Sequence, residues 1–474
     1  MALKPDTQHS EYSAASTRWQ KCRDVIDGED AVHKAAERYL PRLKGQEDTE
    51  YKAYVGRAPF YNATARTIDG LVGMLFRKAP IVEVPAAMAQ IISDMTLTDC
   101  GFNELAEIVA REVIGVGRMG SLVEYPSADT TGMSQAQASA MNLRPYVAQY
   151  KAETILNWRC ERVNNIMQPV MITLQEKAVQ WVDDFESKEV DQIRALLLIE
   201  NVYLQRIYRK IEEGPTKGQW VQFGENIVPK KNGAPLDFIP FVIFGPAQNS
   251  AAVQKPPIYD LVTLNLSHYR STADLEHGAH FTGLPTPVVT GYAASDNEKL
   301  SIGSSTAWCF PSADADAKYL EFTGQGLESL EKRLTSKEAG MAAIGARMLA
   351  PEKASAEAAK TVQLRHSGEG AVLSSIGNMI EQGFNRIMQI MADWQGITGT
   401  INVDFNDEFV DVVLDAADVL ALMQTWQAGG ISFDTLFWNL KQSDMIDGER
   451  TIEQERDTIK KDGIPGAPAA QNAA

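Results

Sequence analysis

Cysteine is scarce in this chain: four residues in 474, at positions 22, 100, 160 and 309, and no two close enough for a zinc knuckle or a dense disulfide scaffold. Reduced thiols in a cytoplasmic protein are the reading this supports. Long apolar runs are missing too. The longest strictly aliphatic stretch is Ala195 to Ile199, far short of the roughly 20 residues of a membrane span. The opening MALKPDTQHSEYS has no apolar core of a signal peptide. The dipeptide Gly-Lys does not occur, which excludes a phosphate-cradling loop of the GxxxxGK[ST] type. Positive charge is also in short supply: 45 Lys and Arg stand against 62 Asp and Glu, a net charge of -17. A tight nucleic-acid binder needs a basic face, so a free DNA-binding regulator is a poor fit.

The deficit is uneven. The first 80 residues hold 13 basic and 11 acidic side chains, whereas the stretch from Ile397 onward holds 14 acidic and 5 basic. Otherwise the chain is ordinary, with 44% hydrophobic and 23% charged residues and length enough for two or three domains.

Periodicity predicts a helical N-terminal third: Ser13 to Arg38, Phe60 to Lys78, and a third helix on the stripe Phe102, Leu105, Val109, Val113, Val116. A short strand at Ser121 to Tyr125 and a small, polar loop from Ser127 to Asn142 follow. The period then changes to strands, at 145–150, 168–175, 195–201, 204–212, 220–228 and 238–244, with Asn-Gly and Lys-Gly turns that suggest a meander. The second half returns to helix: Ile258 to Phe281, Gln325 to Gly345, and a very long stretch from Ala354 to Trp394. Strand character lies between the first two, from Leu284 to Thr323. Helices at 415–427, from Ser432, and on to Lys461 precede a loose GIPGAPAAQNAA tail.

Chemistry-bearing motifs fail one by one. Gly115 to Gly120 spells GxGxxG, but it ends a helical stripe and opens a strand, the reverse of the order that puts helix amides on a pyrophosphate. His268, His277 and His280 share one helix, and a metal could just bridge the last two; HExxH is absent and no third ligand stands near, so an interhelical contact is the better reading. Asp404 to Asp411 resembles a calcium loop without its sixth-position glycine. No GxSxG exists. Asn62-Ala63-Thr64 and Asn265-Leu266-Ser267 fit the glycosylation pattern, which is empty without a secretory route. No catalytic set emerges, and neither a cofactor nor a metal is expected.

Four phrases, in order, resemble the portal proteins (head-to-tail connectors) of tailed bacteriophages, within a branch catalogued as a domain of unknown function. They are YLPRLKGQ at 39–46 with Tyr51, Tyr54, Arg57 and FYNATART at 60–67, running into GLVGMLFRK at 70–78; Tyr146 to Trp158; LNLSHYR at 264–270 with ADLEHG at 273–278 and LPTP at 284–287; and EAGM at 338–341 through GARML at 345–349. They span about residues 39 to 440. The resemblance implies an α+β, predominantly helical portal fold. Its parts would be a wing (1–257), first stem helix (258–282), small α/β clip (283–324), second stem helix (325–345), tunnel loop (346–353), long wing helix (354–396), helical crown (397–462) and a disordered tail (463–474).

The same resemblance implies a non-enzymatic homo-oligomeric ring, a dodecamer in the particle, set at one capsid vertex of the virion after assembly in the host cytoplasm. Double-stranded DNA would pass through it without sequence specificity during packaging and ejection. The major capsid protein, the terminase packaging motor and a head-tail adaptor would be its partners, with no membrane. It assigns Arg347, Met348, Leu349 and Lys353 to the tunnel loop and His268, Arg270, His277 and His280 to the stem. Pro285, Pro287, Trp308 and Phe310 go to the clip, and Asp404, Asp407, Glu408, Asp411 and Asp415 to an acidic crown. A non-conducting virion adaptor or internal structural protein is the alternative, and an enzyme ranks third.

Overall fold

The computed structural model describes the chain apart from residues 1–2, 127–136, 138–139, 212–213, 232, 283–285, 291–315, 321–324, 350–358, 406–415, 443–444, 448–449 and 463–474. It divides into two compact units, Met1–Asp407 and Glu408–Ala474.

Where one N-terminal helix is predicted, two form: α1 (Ser10–Asp27) and α2 (Glu29–Ala35). Gly28 separates them at φ 98°, a conformation that costs glycine nothing and other residues a clash. Helix α3 (Asp48–Arg57) starts at a reciprocal cap in which Glu47 and Glu50 satisfy each other's backbone N–H groups. Asn62 caps α4 (Ala63–Leu75) by accepting from the Ala65 N–H. Strand β1 (Ile81–Glu83) and the short α5 (Ala89–Ser93) lead to α6 (Phe102–Val116), whose predicted apolar stripe is wholly buried.

Gly117, at φ 82°, ends α6 by donating its N–H to the Glu112 and Val113 carbonyls. Strand β2 (Met119–Glu124) follows at once, so the GxGxxG motif runs from helix to strand as expected. Gly120 lies against the Phe241 ring, and a Cβ there would overlap it. Gly120→Ala is therefore expected to destabilise the first unit by about 1–3 kcal/mol, the usual cost of overpacking. Thermal denaturation reads it, and an unchanged midpoint would contradict this placement of Phe241.

Strand β3 (Tyr146–Lys151) pairs with β2, and an antiparallel meander follows in sequential order: β4 (Ile155–Val163), β5 (Ile166–Trp181), β6 (Ser187–Ile199), β7 (Val202–Lys210) and β8 (Trp220–Gln222). Its β4–β5 and β6–β7 turns are two-residue loops with both φ values positive, at Asn164–Asn165 and Glu200–Asn201, which match the twist of paired strands. A small pair, β9 (Lys230–Lys231) and β10 (Ala234–Pro235), precedes β11 (Phe241–Phe244), which returns to the free edge of β2.

Helix α7 (Tyr259–Thr282) leads to an antiparallel pair, β12 (Thr286–Thr290) and β13 (Asp316–Leu320), and then to α8 (Gln325–Leu349) and α9 (Ala359–Gln395). Strand β14 (Asn402–Asp404) pairs with β1, Val403 opposite Val82. The core gathers where α9 crosses the three-stranded sheet: Phe384 meets Phe102 (centroids 5.0 Å apart) and Phe244 (5.4 Å), and Phe405 joins them from the chain after β14. The second unit contains α10 (Ala416–Gln427), α11 (Phe433–Gln442) and α12 (Ile452–Asp462). There Ser432 caps α11 through the Thr435 N–H, and Arg456 pairs with Asp434.

Two boundaries differ from the sequence reading. The returning helix continues through Leu349, since Ala346 to Leu349 are all strong helix formers. Residues 346–349 are thus helical rather than loop. Residues 397–407 stay with the first unit, since β14 is tied to β1, whereas the crown is predicted to begin at 397. Among the described residues no helix is long and apolar enough to cross a membrane.

Candidate functional site

Helices α7 and α8 lie side by side and antiparallel. His268 Nε2 meets Glu338 Oε1 at 3.2 Å, Gly340 faces Leu264, and Gly278 faces Leu327 further along. Lys337 reaches from α8 to donate to the Ser267 carbonyl (2.8 Å) and the Ser271 hydroxyl (2.6 Å) of α7. Burial, then the nearby Arg333 and Arg270, push its ammonium pKa below the usual lysine range. These contacts fix the register of one helix against the other.

The pair is anchored by the N-terminal region through a buried polar key. Asn265, fully buried on α7, accepts from the Thr64 N–H (3.2 Å) and hydroxyl (2.9 Å) at the start of α4. Its amide donates to the Tyr61 carbonyl at 2.8 Å. Phe60 packs edge-on against Tyr269, and the Tyr54 hydroxyl donates to Asp274 Oδ1 at 2.7 Å. FYNAT and LNLSHYR, two of the phrases that carry the sequence resemblance, therefore meet here. Both apparent glycosylation sequons dissolve on inspection: Asn62 is a helix cap and Asn265 is this key.

His277 and His280 open onto a cleft of about 330 Å³ lined also by Lys44, Gln46, Glu50 and Arg57. Burial and the Arg57 charge lower the His277 pKa. Two permanent cations beside these rings oppose a metal ion, so the donor set does not suit the bridging role considered from spacing. His268 serves the helix contact, and Arg270 is exposed on α7. Pro287 lies on β12 opposite Tyr319. Arg347, Met348 and Leu349 are in the last turn of α8, with their side chains outside the described residues. Pro285, Trp308, Phe310, Lys353, Asp407, Glu408, Asp411 and Asp415 also lie outside them, and Asp404 is exposed on β14.

Two ionic clusters elsewhere escaped the sequence reading. Arg23 on α1 grips Glu112 and Glu153, each through two hydrogen bonds. Arg194 on β6 binds Glu124 (3.0 Å) and Glu176 (2.6 Å), with Tyr146, Tyr150 and Gln205 completing the carboxylate shells. In both, each carboxylate is engaged by a guanidinium, and neither includes a thiol or a serine poised for attack; they join helices and sheets. Arg118, inside the GxGxxG motif, is 2% exposed, lies over the Trp158 ring at 4.2 Å and donates to the Ala251 carbonyl. Burial pushes its pKa down to about 10.

Residues 257–395 match the family described as Domain of unknown function (DUF4055). That segment contains α7, β12, β13, α8 and α9, and it holds the third and fourth phrases of the sequence resemblance, in keeping with a branch catalogued under that kind of name. No curated protein matches the chain. Among solved structures, the chain is similar to one from the virion of a native gene transfer agent particle, at 10% identity and TM-score 0.39, over 85% of this chain and 94% of that one. Two others are a chain from the neck of the empty particle computed with C6 symmetry (11% identity, TM-score 0.38, 82% and 91% covered) and one from the neck of the native particle computed with C12 symmetry (10% identity, TM-score 0.36, 85% and 95% covered).

Proposed function

We propose that this chain is a portal protein of a tailed-phage-like particle. Identical copies form a ring, dodecameric in the particle, and double-stranded DNA passes through it during packaging and ejection. The observation that carries this reading is the helix pair: two antiparallel helices joined through the excursion that contains β12 and β13, followed by a long helix returning to the core. That succession is the one the ordered sequence phrases call for in stem, clip and wing. The role is mechanical. The segment between the helices docks the packaging motor and later the tail adaptors, and the outer body meets the major capsid protein in the virion.

The charge supports the same reading. Each cation matched to a phosphate releases counterions and adds affinity, so a basic lumen would hold the DNA it must let slide. A chain of net charge -17 keeps a duplex near the axis instead. Negative-stain microscopy of the purified protein is the test: ring particles with a central hole wide enough for a B-form duplex are expected. Monomers at every concentration would remove the reading.

A further inference from the structure

The β5–β6 hairpin ends in an apolar knob held in the open. Trp181 is 67% exposed, Phe185 95%, and Val179 and Val182 are exposed beside them. The turn that presents them is built: Asp183 Oδ1 accepts from both the Phe185 and Glu186 N–H groups at 2.7 Å, and the Val182 N–H donates to the Glu186 carbonyl. Four large apolar side chains on one ordered tip, flanked by Asp183, Asp184 and Glu186, mark a contact surface, since isolated exposed hydrophobics are common but clusters are not.

A receptor of matching character lies on the same chain. A cleft of about 450 Å³ between the sheets and α9 is lined by Met167, Pro169, Phe238, Ile243 and Ile390, with Arg386 at its edge. Arg386 is exposed, stands over the Phe238 ring at 5.3 Å and makes no ion pair among the described residues. The cleft is thus apolar with a cation that makes no ion pair among the described residues, and the knob is apolar with Asp184 and Glu186 in no ion pair among them.

Their positions decide the occupant. Met167 and Pro169 belong to the start of β5 and Trp181 to its end, so knob and cleft sit at opposite ends of one 16-residue strand, about 50 Å long at ~3.3 Å per residue. One chain cannot fill its own cleft across that span. A knob at one end and its hole at the other is the arrangement of a head-to-tail contact, which closes into a ring when the rotation allows. We infer that the Trp181–Phe185 tip of each copy inserts into the Arg386 cleft of the next copy of this chain. This rests on the ring reading above and assigns the surface that builds the ring.

Cys160 lines the cleft, which makes the contact addressable. In Phe185→Cys, a short bis-maleimide is expected to join position 185 of one copy to Cys160 of its neighbour, giving a ladder of multimers on a denaturing gel. Both variants carry Cys100→Ser and Cys309→Ser, and in that background Phe185→Cys with Cys160→Ser should give no ladder; Cys22 is buried, its thiol pushed up to about 12, and does not compete. Arg386→Glu should raise the concentration for half-assembly at least about tenfold, and adding Asp184→Arg should restore it. The inference is overturned if wild-type rings form but the ladder is absent and Trp181→Glu with Phe185→Glu assembles like wild type; the tip then serves another protein. Wild-type monomers at every concentration would remove the ring reading, and this contact with it.

Discussion

Arg23→Met is expected to destabilise the first unit by about 3 kcal/mol, the low end of the range for breaking a buried ion pair from one side, because the Arg23 and Glu153 side chains keep 21% and 31% of their surface exposed. Arg23 donates to Glu112 at 2.7 and 2.6 Å and to Glu153 at 2.8 and 3.0 Å, so one guanidinium neutralises two carboxylates. Those carboxylates come from α6 and from the residues just after β3, and the arginine from α1. Methionine fills much of the same volume and leaves two like charges facing each other in a part-buried site. The pairing with two carboxylates raises the Arg23 pKa further above its already high value, so the guanidinium stays charged throughout the accessible range and no pH offers relief from its own side. The mechanism has its own control. Adding Glu112→Gln and Glu153→Gln to the methionine variant should recover most of the loss, because the cost lies in the uncompensated charges. Urea denaturation followed by far-UV dichroism measures it; a triple variant as unstable as the single one would show that packing, not charge, sets the cost.

What was legible in the sequence follows what is local. Helix α6 was readable to the residue because its stripe is buried throughout and a glycine with positive φ terminates it. Helices α7 and α8 were readable within a residue at their starts because each is a long run without proline. Strand β4 escaped notice because Cys160 to Val163 has no buried alternation. The hairpin was foreshortened: beyond Leu174 the β5 side chains are largely exposed, so the apolar run by which a strand is recognised stops well before the pairing does. Helix α3 hides behind a cap made of two glutamates rather than the usual serine or threonine. The β1–β14 pair joins three residues at each side of more than half the chain, and no window on the sequence contains both.

The candidate site shows the same division more sharply. A long run without proline located α7, but it says nothing about Asn265, a polar residue in the middle of a buried face. The order of the phrases placed FYNAT and LNLSHYR in one protein; only the fold shows that they touch. The three histidines were read together from spacing, yet they separate: His268 faces Glu338, while His277 and His280 face Arg57 and Lys44 across a cleft. Charge context, which spacing cannot supply, decides between a metal site and a structural contact.

Asn265→Leu carries the second large expectation, a loss of about 3 kcal/mol or more. Leucine has the same number and branching of side-chain heavy atoms as asparagine, so no cavity opens and the lost hydrogen bonds add to any crowding by its bulkier methyls. The Thr64 N–H and hydroxyl lose their acceptor in a place that water does not reach, and the part-buried Tyr61 carbonyl loses a donor; each buried group left stranded costs about 1–3 kcal/mol. A second substitution supplies a sign that packing cannot imitate. Asn265→Asp keeps an acceptor for Thr64 but buries a carboxyl, whose pKa in the folded state must rise above its unfolded value. Its stability should therefore be greatest below the unfolded pKa of about 4 and fall as pH rises through the folded one, whereas the leucine variant should show no such added dependence. If the two variants followed the same pH profile, the key would not be buried as described. Because this residue joins α7 to the cap of α4, the loss should also reach assembly. On the portal reading proposed above, an α7 free to shift against its anchorage would present no fixed surface to neighbouring copies, so rings of the leucine variant are expected to dissociate at concentrations where wild-type rings persist.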